Sequence, residues 1–130
     1  MYVPDDTIVA VATPPGPGGI GVVRISGPDA ATTAQAILQH TSPLEPRLAT
    51  VTVVVAGEES QPVDRVLATY FPAPKSYTGE GVVEISAHGS PVLLRRIVEL
   101  AVGAGARLAE AGEFTPVSYT HLTLPTILLV

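Results

Sequence analysis

Three groups of residues have the types and spacing to do chemistry. Gly16, Gly18 and Gly21 stand in TPPGPGGIGVVRISG, residues 13–27, in the order G-x-G-x-x-G, which can let a backbone approach a pyrophosphate. Glu84, Ser86 and His88 alternate in GVVEISAH, residues 81–88. On an extended strand they share one face, an arrangement open to acid–base or nucleophilic work. Arg24, just beyond the glycines, is a lone cation among Val22, Val23 and Ile25. Taken alone, Arg24 and Glu84 read as strand charges facing solvent, each able to sit in a salt bridge. Metal chemistry has little to work with: there is no cysteine, and His40, His88 and His121 lie far apart, none with a partner at ligand spacing.

Composition limits what these groups could serve. At 130 residues and 46% hydrophobic, the chain is sized for one globular domain with one core, and it needs no disulfide to fold. Seven Lys and Arg against twelve Asp and Glu give a net charge of −5, so a nucleic acid would on balance be repelled. The start, MYVPDDTIVA, lacks the basic and apolar regions of a signal peptide, and no apolar run has the ~20 residues of a membrane span. These features predict a soluble, cytoplasmic protein without a membrane partner.

The elements that must position the candidates follow from periodicity and punctuation. TIVAVAT, residues 7–13, and IGVVRIS, residues 20–26, are rich in β-branched residues and read as strands on either side of the glycine loop. Pro28 suits the first position of a helix running to about His40, with Ala30, Ala34, Ile37 and Leu38 at helical spacing. ATVTVVVA, residues 49–56, and VDRVLATYF, residues 63–71, predict two strands of a hairpin, Pro62 starting the second. GVVEISAH predicts another strand. Ser90 as N-cap and Pro91 then open a helix whose apolar stripe runs through Leu93, Leu94, Ile97, Val98 and Ala101, with Gly103 and Gly105 to stop it. The expected fold is α+β, a mixed, largely antiparallel sheet with two main helices packed on it.

This order argues against a dinucleotide site. Pyrophosphate is held at a helix N-terminus, whereas here a strand follows the glycines, and the acidic residue expected about 20 positions on is missing. No G-x-x-x-x-G-K-[ST] occurs in the chain. The glycines are expected instead to allow strands and a ligand or neighbouring backbone to approach closely.

Three longer stretches carry more information: DTIVAVATPPGPGGIGVVRISG (6–27), FPAPKSYTGEGVVEISAHGSP (71–91) and AEAGEFT (109–115). In type, order and spacing they resemble the signature stretches of the N-terminal domain of the tRNA-modification GTPase family MnmE, also called TrmE. The resemblance implies a homodimerising module that binds a tetrahydrofolate derivative, in 5-formyl or 5,10-methylene form, as one-carbon donor. It further implies a role in modifying wobble uridine by the 5-carboxymethylaminomethyluridine route, together with a MnmG-type FAD protein. GTP, Mg and K would belong to a separate GTPase domain, and the tRNA to the full-length complex rather than to this segment alone. As for residues, the resemblance points to Arg24 and Glu84 as folate contacts. A pterin offers a ring N–H beside an exocyclic amine, both of which one carboxylate can accept, and Arg24 can answer another polar part of the ligand with its planar fork. The SYTGE turn is expected to close one wall, Tyr77 offering a flat face beside Gly79 and Glu80.

Some positions depart from the family pattern. Pro17, Gly81 and Ser90 replace residues more usual there, tolerably. After GEFT, however, PVSYTHLTLPTILLV has no charged residue and no helical period. Residues 1–115 are therefore expected to be the folate-binding and dimerisation domain, and 116–130 an atypical apolar tail from a sequence artefact on a truncated chain. On this reading the segment is a binding module and not a GTPase. The alternative is a small stand-alone acid–base enzyme using Glu84 and His88.

Overall fold

The computed structural model describes residues 6–12, 19–39, 42–72 and 81–110. Six strands and two helices follow in the order β1 (Ile8–Val11), β2 (Ile20–Ser26), α1 (Ala30–Ile37), β3 (Thr50–Ala56), β4 (Gln61–Phe71), β5 (Val82–His88), α2 (Pro91–Gly103) and β6 (Arg107–Leu108). The strands form one sheet in the order β3-β4-β5-β2-β1-β6. All neighbours are antiparallel except β1 and β6. This is the mixed, largely antiparallel α+β arrangement that the sequence pattern predicts.

Alternation along the strands decides which face the helices cover. Val9, Val23, Ile25, Val83 and Ile85 are fully buried and point to one side. Against them pack Ala30, Ala34 and Ile37 of α1 and Leu94, Ile97, Val98 and Ala101 of α2, spaced three and four apart as a helical stripe requires. Each buried Ile or Val side chain contributes roughly 1.5–3 kcal/mol. Gly21 belongs to this side, and its role is specific: a Cβ there would lie 2.5 Å from Leu94 Cδ1. The last glycine of the G-x-G-x-x-G run therefore makes room for a helix side chain on the sheet. Gly16 and Gly18 lie outside the described residues.

The elements differ from the sequence expectation at their ends, each for a local reason. Helix α1 starts at Ala30, not Pro28, because Gly27 turns the chain at φ +141° and Asp29 becomes the N-cap. The Asp29 side chain makes no capping bond, and its backbone N–H is satisfied by Thr7 Oγ1 at 3.0 Å. The same helix stops at Ile37, since Leu38 bridges to Val54 and the Gln39 N–H donates to Val53 O, covering part of the β3 edge. Strand β4 begins at Gln61, before Pro62, because a register shift between Val54 and Val55 gives the proline an irregular part of the ladder. At α2 the expectation holds: Ser90 caps Leu93 N–H, and Pro91 is the first helical residue. Strand β6 was not legible in the sequence, being two residues long and held by pairing with Ile8 and Val9.

Candidate functional site

Strands β5 and β2 are the two innermost of the six, and their antiparallel register sets Arg24 directly opposite Glu84. Both project from the face that the helices leave uncovered. The Arg24 guanidinium donates from Nε at 3.0 Å and from Nη2 at 2.8 Å, and both bonds fall on Glu84 Oε2. The side chains are 18% and 30% exposed, so the pair is partly shielded yet reachable. A planar fork on a single oxygen fixes the carboxylate's orientation. Among the described residues nothing donates to Oε1, which is left as an acceptor.

The register extends this pair into a row. Thr69 of β4 stands opposite Glu84 on its other side, and Ala10 of β1 stands opposite Arg24, giving Thr69, Glu84, Arg24 and Ala10 across four strands. On one side of the row lie Phe71, Val82, Ser26 and Ile8, the last three almost fully buried. On the other lie Leu67, Ser86 and Val22, with Leu67 exposed. A polar row thus runs between a buried strip and an accessible, more apolar one. Such a surface suits a flat heterocycle with a hydrogen-bonding edge, since edge groups meet the row and ring faces meet apolar neighbours.

The shared face of Glu84, Ser86 and His88 is confirmed, but the three do not assemble. The His88 ring turns to Asp64 of β4, with Nδ1 2.8 Å from Oδ1 and 3.0 Å from Oδ2, and the His88 backbone N–H donates to Oδ2 at 3.1 Å. His88 is 72% exposed and Asp64 only 12%. Four residues of strand put Glu84 about 13 Å from His88, too far for a direct proton relay. Asp64 was missed in the sequence. An Asp between Val63 and Val66 in a predicted strand was the available signal, because a carboxylate partly shielded from water needs a donor. Arg107 Nε likewise donates to Asp6 Oδ2 at 2.8 Å, fastening β6 near the start of β1.

Of the residues named from sequence, Arg24 and Glu84 are brought together, whereas Tyr77, Gly79 and Glu80 lie outside the described residues. No group of three or more potential metal ligands occurs among the described residues, and no helix there is long and apolar enough to cross a membrane.

Comparison with known proteins decides the family. The family model "GTP-binding protein TrmE N-terminus" matches residues 7–121. The chain belongs to the TrmE N-terminal family. The tRNA modification GTPase MnmE of Koribacter versatilis is 53% identical over 114 residues, covering 85% of this chain and 25% of that protein. Its namesakes in Legionella pneumophila (strain Corby) and Francisella tularensis subsp. novicida are 52% and 51% identical over 110 residues, each match covering 85% of this chain and 24% of the relative. The chain therefore spans about a quarter of the length of these TrmE relatives. Both Arg24 and Glu84 fall within the matched region, on the two strands at the middle of the TrmE-type sheet.

Proposed function

We propose that this chain is the folate-binding and dimerising N-terminal module of a GTP-dependent tRNA-modifying protein. The observation that carries the reading is the Arg24–Glu84 pair at the centre of the uncovered face, with Glu84 Oε1 left to accept. The donor set fits the group: a pterin presents N–H donors along one edge, and an oriented carboxylate is an acceptor for them. A bound tetrahydrofolate derivative, in 5-formyl or 5,10-methylene form, would supply a one-carbon unit. The protein's part is to bind and orient it: Glu84 reads the pterin edge, while Arg24 holds Glu84 and contacts another polar part of the ligand. Tyr77, Gly79 and Glu80 would complete a wall. The relatives' name, tRNA modification GTPase, supports placing the module in wobble-uridine modification. In that setting it acts as a homodimer in the cytoplasm with a MnmG-type FAD protein, and GTP hydrolysis and tRNA binding belong to the full-length protein. The separation of His88 from Glu84 favours this module over a stand-alone acid–base enzyme.

Calorimetric titration of the 130-residue chain with 5-formyltetrahydrofolate tests the reading. Saturable binding is expected, weakened at least tenfold by Glu84→Ala, roughly 1.4 kcal/mol. Binding unaffected by that substitution in a folded variant would remove Glu84 from the site. Absence of binding to the wild-type chain would remove the folate.

A further inference from the structure

The row that holds the ion pair contains one more polar side chain. Thr69 sits on β4 directly opposite Glu84, on the side away from Arg24. Strand parity puts it on the uncovered face, because its neighbour Ala68 is fully buried against the helices and Leu67, two residues back on Thr69's own face, is 44% exposed. Thr69 is itself half-buried, and its hydroxyl makes no hydrogen bond among the described residues. Residues directly opposed in an antiparallel pair have Cβ atoms about 4.5–5.5 Å apart, close enough for one small group to touch both.

The two side chains differ in what they can offer. An ionised carboxylate only accepts, whereas a hydroxyl also donates. Arg24 approaches Glu84 from β2 and occupies Oε2, so the remaining oxygen and the Thr69 hydroxyl form an acceptor beside a donor. That order is complementary to a cyclic amide edge, in which an N–H stands next to a C=O.

We infer that Thr69 is a specificity-determining residue of this site: its hydroxyl donates to the ring carbonyl of an oxo-pteridine, while Glu84 Oε1 accepts the adjacent ring N–H. The inference rests on the folate reading above and adds to it a residue and a chemical preference. An amine in place of that carbonyl takes away the acceptor for the Thr69 hydroxyl, which can then only accept from it, and it turns the ring N–H into a lone pair facing the Glu84 carboxylate. A site built on paired hydrogen bonds discriminates strongly against such a mismatch. The 4-oxo pteridines are therefore favoured over their 4-amino counterparts.

The test is a calorimetric comparison of the wild-type chain, Thr69→Val and Thr69→Ser with 5-formyltetrahydrofolate and with aminopterin, which carries the 4-amino group. Valine keeps the β-branched shape that suits a strand and removes the hydroxyl, whereas serine keeps the hydroxyl. With melting temperatures matched, Thr69→Val is expected to weaken 5-formyltetrahydrofolate at least fivefold and aminopterin by less than that. Thr69→Ser is expected to stay within twofold of wild type. Wild-type affinity in Thr69→Val, or equal losses in the two variants, would overturn the assignment. If the wild-type chain binds 5-formyltetrahydrofolate but Thr69→Val weakens aminopterin by as much, the folate reading survives and the role of Thr69 does not. If it binds neither, both readings fall.

Discussion

On the helix-covered face, Val23, Ile25, Val83 and Ile85 are fully buried, whereas the same two strands carry Val22, Arg24, Glu84 and Ser86, all partly exposed, on the other. Alternation along β2 and β5 separates the two duties of the molecule. One set of side chains supplies the apolar burial that holds the sheet to α1 and α2, and the residues between them are released for polar chemistry. The rigidity of the first set serves the second, because a site built on central strands holds its groups more precisely than one built on loops.

The sharpest way to break this contrast is to truncate one residue from each face. Ile85→Ala is expected to cost about 2–5 kcal/mol, since it empties a site packed on all sides. Leu67→Ala, on a strand next to β5 but 44% exposed, is expected to change stability by about 0.5 kcal/mol or less. Urea denaturation of the two variants measures both. Comparable losses would mean that the second face is packed as heavily as the first, as burial against a second copy of the chain would produce.

The connection between the faces is a backbone position. Gly27 ends β2 at φ +141°, and a Cβ there would sit 2.5 Å from Thr7 Cα and 2.6 Å from Asp6 O. Both obstacles are backbone, which cannot rotate aside. Gly27→Ala is expected to lose about 1–3 kcal/mol, visible as a lower melting temperature. A neutral result would mean that the β2–α1 turn has a second conformation available to it.

Sequence reasoning reached the faces more easily than the contacts across them. Period-two alternation in residues 20–26 and 82–88 places Arg24 and Glu84 on strand faces, and helical spacing in 91–101 gives the stripe that covers the other side. It cannot give their pairing, because 60 residues separate the two and the register depends on how β5 meets β2. The family resemblance named both residues without showing that they bind each other. Asp64 was missed for a similar reason: its partner lies 24 residues away, and only its burial makes the need for one visible. Strand β6 has no periodicity to detect in two residues, and α1 starts late because Gly27 turns the chain at positive φ, with the Asp29 N–H held by Thr7, neither of which local propensity records.

The two polar pairs sharpen the comparison, because Asp64 shares the strand parity of buried Val66 and Ala68 while Arg24 and Glu84 belong wholly to the second face. Asp64 is half-buried and accepts from both the ring and the backbone of His88, whereas His88 is mostly exposed. Asp64→Ala is expected to cost about 1 kcal/mol, because it orphans a backbone N–H as well as the ring bond. His88→Ala should cost less, since that N–H keeps its acceptor. Neither is expected to change 5-formyltetrahydrofolate affinity by more than twofold. A larger effect of His88→Ala on binding would extend the site along β5 toward Ser90.

Only a small effect on stability belongs to the pair that matters most for binding. Arg24 and Glu84 are close and well aligned, yet each is partly exposed, and water screens such a pair. A double-mutant cycle with Arg24→Gln and Glu84→Gln is therefore expected to give a coupling of only about 0.2–1 kcal/mol in unfolding. In ligand binding the same cycle should show strong non-additivity. If Arg24 acts chiefly by holding Glu84, losing it matters little once Glu84 is gone. Near-additive binding losses would instead show the guanidinium acting on the ligand independently of Glu84. A coupling in unfolding well above 1 kcal/mol would make the pair a structural clasp, and the division of labour between the two faces would then no longer hold at the centre of the sheet.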